Sequence, residues 1–226
     1  MNLDISQLEA RSNSFYNVVV KRLLDVLLAL FLLFWLWPLL LLIAILVVLD
    51  SGFPILYRAQ RGGRHGKPFR ICKFRSMVKN ADQIGGGTTA LHDARITRVG
   101  GFLRKTKLDE IPQLFNILGG SMSFIGPRPE LTRYTDTYDE LERHILDVRP
   151  GITDFSSLEF ISLDEVVGAT NADEYYEKHV YKRKNALRLK YVAELSLKTD
   201  VKLFLATVCK VIHKALKVIC GVRQPK

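Results

Sequence analysis

Cysteine is scarce in this chain: Cys72, Cys209 and Cys220 are the only three in 226 residues. Their odd number and wide spacing exclude a disulfide framework and a C-x-x-C metal site, which suits a reducing compartment. The five histidines, His65, His92, His144, His179 and His213, include no pair four residues apart and no H-x-x-E-H pattern, which argues against zinc. Gly85-Gly86-Gly87 is followed by Thr88-Thr89 rather than by Gly-Lys-Ser/Thr, so it is not a P-loop. Acidic residues are also few, with 23 Asp and Glu against 33 Lys and Arg and a net charge of +10. That excess calls for an anionic partner, whether nucleic acid, phosphorylated substrate or acidic lipid, and charge alone does not choose among them. There is no repeat and no low-complexity linker. A composition 48% apolar and 25% charged excludes a disordered or collagen-like chain and can form a core.

What the chain does have is one long apolar run. Val26 to Leu49 contains 24 residues without a charge, about 36 Å as a helix against roughly 30 Å of hydrocarbon. The run is too long and starts too far in for a signal peptide, so it is expected to stay in the mature chain and enter a membrane. Pro38 stands near its centre, removing one donor and freeing the Phe34 carbonyl, so at least a kink is expected. Lys21 and Arg22 precede the run, while Arg58, Arg61 and Arg64 follow it. Cations on both flanks place both ends on the inner side. A helix that breaks at Pro38, dips in and returns satisfies this; a Pro-kinked single span satisfies one flank only.

After the run, the residues around Gly62, Gly63 and Gly66 predict a β-hairpin, with Phe69, Ile71 and Phe74 in its second arm. Residues 80–95 lack an apolar period and are expected to form a mobile loop. Helical spacing predicts a helix from about Leu108 to Leu118, a second from after Pro129 to about Leu146, and a third over Asp173 to Glu194. From Leu197 on, Val201, Phe204, Leu205, Val208, Ile212, Leu216 and Ile219 form a stripe opposed by Lys198, Lys202, Lys210, Lys214 and Lys217. Such a helix either lies on an anionic membrane surface or packs on a core with its lysines solvated. The expected fold is α+β and helix-rich, with an N-terminal segment and membrane helix over residues 1–54 and one cytosolic domain over 55–226.

The chemistry concentrates in a few places. Asp109 and Glu110 begin the expected 108–118 helix directly after Arg104, Lys105 and Lys107. Acids at a helix start are ordinary charge placement. They also fit a nucleophilic aspartate kept ionised by the dipole and cations, beside an acid that ligates a hard metal. Arg128 is fixed between Pro127 and Pro129, which suits phosphate anchoring or a rigid turn. Lys73 and Arg75 are expected on one strand face, as a phosphate-binding edge or a solvated one. No nucleic-acid recognition motif is present.

Taken together, these residues resemble the bacterial sugar transferases that act as monotopic polyprenyl-phosphate phosphoglycosyl transferases. The resemblance covers about residues 20–153: Lys21-Arg22-Leu23-Leu24-Asp25, Arg61-Gly62-Gly63, Lys73-Phe74-Arg75-Ser76-Met77, Leu108-Asp109-Glu110-Ile111-Pro112-Gln113-Leu114-Phe115-Asn116, Ser121 to Pro129, and Arg149-Pro150-Gly151-Ile152-Thr153. It implies a re-entrant membrane helix with Pro38 at its break, lying in the bacterial inner membrane with the active site on the cytoplasmic face. It implies transfer of a sugar phosphate from a UDP-sugar to undecaprenyl phosphate, with release of UMP, as an early membrane step of polysaccharide biosynthesis (lipopolysaccharide O-antigen, capsule, exopolysaccharide or glycoprotein glycan). Asp109 would form a covalent phosphosugar. Glu110, together with Asp109, would hold Mg²⁺. Arg104 and Arg128 would contact phosphate or nucleotide, with Lys73, Arg75 and Arg61 as further phosphate-binding candidates. The implied partners are undecaprenyl phosphate, a UDP-sugar and the lipid bilayer, with no nucleic acid. The chain departs from the family pattern at Trp37, where serine is common, at Ala59, near which the family has glutamine, and in Asp154-Phe155-Ser156-Ser157-Leu158. A membrane-anchored basic module that binds nucleic acid or acidic lipid without catalysis is the competing function.

Overall fold

A computed structural model describes residues 4–220; residues 1–3 and 221–226 lie outside the described part, as does the Ile219 side chain of the expected stripe. A short helix α1 (Ile5–Ser12) is capped by the Asp4 carboxylate and leads through a π-helical turn into α2, Lys21–Ser51. Leucine, isoleucine and valine fill α2, and helical structure continues through Pro38 rather than breaking there. A proline removes a single donor, and intrahelical bonding on both sides carries the path onward.

The two ends of α2 are held by the same domain. Near its start, Arg22 donates to the Ile117 and Leu118 carbonyls, and Asp25 accepts from the Ser123 hydroxyl and the Phe124 amide, each at 3.1 Å. At its end, Asp50 accepts from the Val99 amide and Arg75 donates to the Ser51 carbonyl at 2.7 Å. The fully buried α2 positions are Lys21, Asp25, Ala29, Ile43 and Val47, so none falls between Ala29 and Ile43. Leu30, Phe31, Phe34, Trp35, Trp37, Leu41 and Leu42 are exposed.

The expected hairpin is present as β1 (Leu56–Arg61) and β2 (Phe69–Phe74), antiparallel with Leu56 opposite Phe74 and Arg61 opposite Phe69. Ile71 and Phe74 point inward, and Phe74 joins Leu103, Ile43 and Val47 in a small core under the second half of α2. Helix α3, Arg98–Thr106, starts at the Thr97 hydroxyl, which accepts from the Gly100 amide. Gly100 lies against the backbone of Ser76, where a Cβ would come within 2.0 Å of the carbonyl oxygen. Only glycine allows α3 to pack there.

The helix expected over 108–118 is split. Leu108–Glu110 is a single 3₁₀ turn, and α4 runs only from Gln113 to Leu118. Pro112 cannot donate to the Leu108 carbonyl, which instead accepts from Ile111 one residue short of α spacing. The segment after Pro129 is also shorter than expected: one helical turn at Thr132–Thr135 and a 3₁₀ turn at Glu142–Asp147. Asp139 accepts from the Glu142 amide at 2.8 Å, so its side chain competes with a continuous ladder between the two turns. Two three-residue strands, β3 (Ser123–Ile125) and β4 (Gly151–Thr153), pair in parallel, an element the sequence spacing does not predict.

Two further short helices, α5 (Phe155–Glu159) and α6 (Leu163–Val167), follow. A helical path from Ala172 continues through a π-helical turn into α7, Tyr181–Ala193, in agreement with the expected third helix. The main core joins Ala29 of α2, Leu114 and Ile117 of α4, Phe124 and Ile125 of β3, Tyr191 and Val192 of α7, and Leu203. Each fully buried aliphatic side chain there contributes about 1.5–3 kcal/mol. The last helix, α8 (Leu197–Ile219), is capped by Ser196. Its stripe points outward: Val201, Leu205, Val208, Ile212 and Leu216 are exposed, while Phe204 turns inward onto Phe124. The stripe as a whole therefore does not face the core, although Leu203 and Phe204 anchor the helix to it.

Candidate active site

The end of α3 builds the centre of the site. Lys107 takes a left-handed conformation (φ 63°), which stops α3 and turns the chain into the 3₁₀ turn that carries Asp109 and Glu110. Both carboxylates line a cavity of about 1500 Å³, together with Lys73, Arg104, Lys107, Arg128 and Arg61. Leu32 and Leu36 of α2 border the same space.

The two acids have different surroundings. Glu110 accepts through Oε1 from Lys73 at 3.2 Å and from the Arg128 guanidinium. Arg128 is itself held by the Ile152 carbonyl on β4 at 2.6 Å, and its backbone N–H donates to Asp154. Burial opposes ionisation of Glu110, but Arg128 and Lys73 outweigh it and hold the carboxyl well below its usual range. Asp109 is 5% exposed, and its Oδ1 is buried with no hydrogen-bond partner among the described residues. Burial first, and then the charge of Glu110, push the Asp109 carboxyl up, against the pull of Lys73, Arg104 and Lys107. The expected helix-dipole stabilisation of Asp109 is thus corrected in direction, because α4 begins four residues later and desolvation dominates.

The other expected residues divide. Arg104 donates to Thr89 at 2.7 Å and so connects the cavity wall to the 80–95 segment. Arg61 reaches the cavity from the hairpin, and burial lowers its pKa. Arg75 does not share a face with Lys73 at the site: it follows the last residue of β2, is 5% exposed, and bonds to Ser51 and Gly52 at the end of α2. It closes the C-terminus of the long apolar helix α2, where carbonyls otherwise lack donors. The segment expected to be mobile is tied down, since the Asp173 carboxylate accepts from the Gly87 and Thr88 amides. Arg95 adds bonds to Asp93, the Ala81 carbonyl and the Gly86 carbonyl.

A cation would find two carboxylates here but no closed cage, and no group of three or more acidic, histidine or cysteine ligands occurs among the described residues. The orphaned Asp109 Oδ1 and the second oxygen of Glu110, which no described hydrogen bond uses, fit an ion that completes its shell with oxygen ligands from outside the protein. Sequence reasoning missed a second polar group on the wall, formed by Glu130, Tyr176 and Lys184. Glu130 accepts from Arg188 at 2.9 Å and from the Tyr176 hydroxyl, and Lys184 is 7% exposed. The signal available was spacing: Lys184 and Arg188 are four apart and share one helical face.

A family model described as bacterial sugar transferase matches residues 16–214. A UDP-glucose:undecaprenyl-phosphate glucose-1-phosphate transferase from Xanthomonas campestris pv. campestris is 39% identical over 204 residues, covering 87% of this chain and 40% of the relative. A UDP-N-acetylgalactosamine-undecaprenyl-phosphate N-acetylgalactosaminephosphotransferase from Aeromonas hydrophila is 42% identical over 144 residues, 62% of this chain and 34% of the relative. The uncharacterized sugar transferase EpsL of Bacillus subtilis is 34% identical over 195 residues, covering 86% of this chain and 88% of the relative. The chain thus spans about two fifths of the length of the first of these relatives.

Proposed function

The chain belongs to the bacterial sugar transferase family, and from that premise we propose that it transfers a sugar 1-phosphate from a UDP-sugar to undecaprenyl phosphate. The products are undecaprenyl diphosphosugar and UMP. The observation that carries this is the unequal acid pair: one carboxylate fixed between Lys73 and Arg128, its neighbour buried and unpartnered on the wall of a cationic cavity bordered by the membrane helix.

In the first step, an Asp109 carboxylate oxygen attacks the sugar-bearing phosphorus. The bond from that phosphorus to the bridging oxygen breaks, and UMP leaves with the electron pair. A covalent aspartyl phosphosugar remains. In the second step, an oxygen of the lipid phosphate attacks the same phosphorus and the aspartate carboxylate is released. Splitting the transfer this way makes two displacements at one carboxylate. A raised proton affinity makes Asp109 a stronger nucleophile than Glu110, while the fixed Glu110–Lys73–Arg128 group positions donors for charge on the phosphates. Mg²⁺, when held by Asp109 and Glu110, would supply charge neutralisation at the phosphate oxygens.

The membrane proposal is that α2 is re-entrant, with both ends on the cytoplasmic face of the inner membrane. It is supported by the domain's grip on both Arg22 and Ser51: a straight helix of 31 residues is about 46 Å long and, as a span, would place those ends on opposite faces. Pro38 would then bend the helix rather than break it. The exposed stripe of α8 would rest on the same leaflet. Glycan assembly on a lipid carrier is the process such a product would enter. A basic module that binds nucleic acid or acidic lipid without catalysis has no use for a desolvated acid pair, and its cations would face outward.

The test is UMP release by the purified chain with Mg²⁺, undecaprenyl phosphate and a panel of UDP-glucose, UDP-galactose and UDP-N-acetylgalactosamine. Release with at least one donor, dependent on the lipid, is expected. No release with any of them would overturn the proposal.

A further inference from the structure

One wall of the cavity is formed by α8, and around this helix the surroundings change in a fixed order. At about 100° per residue, Val201, Leu205, Val208, Ile212 and Leu216 fall in one arc, all exposed. The adjacent arc toward the domain carries Val211 and Val218, and beyond them come Thr207 and Lys214; all four line the cavity. From α2, Leu32 and Leu36 line it as well. The space therefore has an apolar margin supplied by the two helices that carry exposed apolar faces, and the Lys214 and Lys217 side chains line it beside that margin. That sequence of surfaces matches an amphiphile whose tail stays in hydrocarbon and whose head is anionic.

Lys214 is half-buried, and its Nζ donates to the Ser162 hydroxyl at 2.8 Å. Its other N–H donors have no partner among the described residues. Lys107, from the turn that carries Asp109, lines the same cavity, as do Asp164 and Glu165. Lys214 thus shares the cavity with the apolar margin and with Asp109, and unlike Arg128 and Lys73 it is not committed to Glu110.

We propose that Lys214 binds the phosphate of the acceptor lipid, and that the prenyl chain leaves the cavity past Val211 and Val218 of α8 and Leu32 and Leu36 of α2. This rests on the transferase proposal and assigns its acceptor subsite to the C-terminal helix.

The test compares wild type, Lys214→Gln and Lys214→Arg in the full chain, titrating undecaprenyl phosphate at saturating UDP-sugar and the reverse, with a short water-soluble prenyl phosphate as a second acceptor. In Lys214→Gln, the KM for both acceptors rises about tenfold while the donor KM changes less than about twofold, and Lys214→Arg recovers most of the loss. Because the headgroup is what Lys214 holds, the short acceptor shows the same shift. An unchanged acceptor KM in Lys214→Gln, or donor and acceptor KM rising together, overturns the assignment. Absence of UMP release from the wild type overturns the transferase proposal instead.

Discussion

Two buried groups of charge face the same cavity, and they differ in how completely they are satisfied. Around Glu130, the carboxylate is fully engaged: Arg188 bonds to Glu130 and to Asn185, Tyr176 donates to Glu130, and the carboxyl is held down to about 2 by Lys184 and Arg188 despite its burial, although the Arg188 Nε is buried without a partner. The Asp109 carboxylate is not. Four cations surround two acids, yet one carboxylate oxygen is left without a donor and its proton affinity is raised. A buried carboxylate whose oxygens are both engaged specifies structure, whereas one with an oxygen left over retains free energy that a ligand can release. The contrast predicts that substitutions in the first group are read out in stability and those in the second in turnover.

The largest expected effect is at Asp109. Asp109→Asn lowers UMP release by more than about a thousandfold, because the amide cannot act as the nucleophile. Thermal stability is unchanged or slightly higher, since an unpartnered buried carboxylate has been removed. A variant that unfolds instead would erase the distinction between the two groups.

Next comes Glu130→Gln, which leaves Arg188 buried without its counter-charge and costs about 3 to 5 kcal/mol in denaturant unfolding. The same carboxyl sets an acid-stability window. Its folded value of about 2 lies below the ordinary 4.5, so its contribution is complete above about pH 4.5 and is lost as pH falls toward 2. Glu130→Gln should flatten stability across that window.

Smaller effects sharpen the comparison. Lys184 is pushed down to about 8, chiefly by burial, so the folded state loses its proton before the unfolded one and stability rises between about pH 8 and the ordinary 10.5. Lys184→Met removes that alkaline rise and changes stability near pH 7 by only about 1 kcal/mol, because its nearest carboxylate is 3.9 Å away. Lys73→Met, by contrast, removes a charge that lowers both Asp109 and Glu110. The acid limb of the UMP-release pH profile then moves upward, with little change in melting temperature. A downward shift would contradict the electrostatic assignment.

The sequence made the long apolar helix, the hairpin and the amphipathic α8 legible because each follows from the pattern of apolar residues within one segment. It made the acid pair legible as well, through its order among neighbouring motifs. What it could not show depends on residues far apart in the chain. Asp173 ties down Gly87 and Thr88 across more than eighty positions, so a segment without periodicity is nonetheless held. Arg75 shares the alternation of Lys73, but its guanidinium is drawn to the carbonyls at the end of α2. The short parallel pairing of β3 and β4 depends on the close approach of Gly126 and Gly151, which no local pattern encodes. The direction of the Asp109 shift was missed for the same reason: flanking cations are visible in sequence, but desolvation is not.

The proposed transfer depends on Asp109 carrying the sugar phosphate between donor and acceptor. Intact-protein and peptide mass spectrometry of the full chain, quenched after mixing with an active UDP-sugar without undecaprenyl phosphate, tests it most directly. The added mass of one sugar phosphate is expected on the peptide containing Asp109, absent from Asp109→Asn and discharged on adding the lipid. Product formation with Asp109 unmodified at every time point would contradict it.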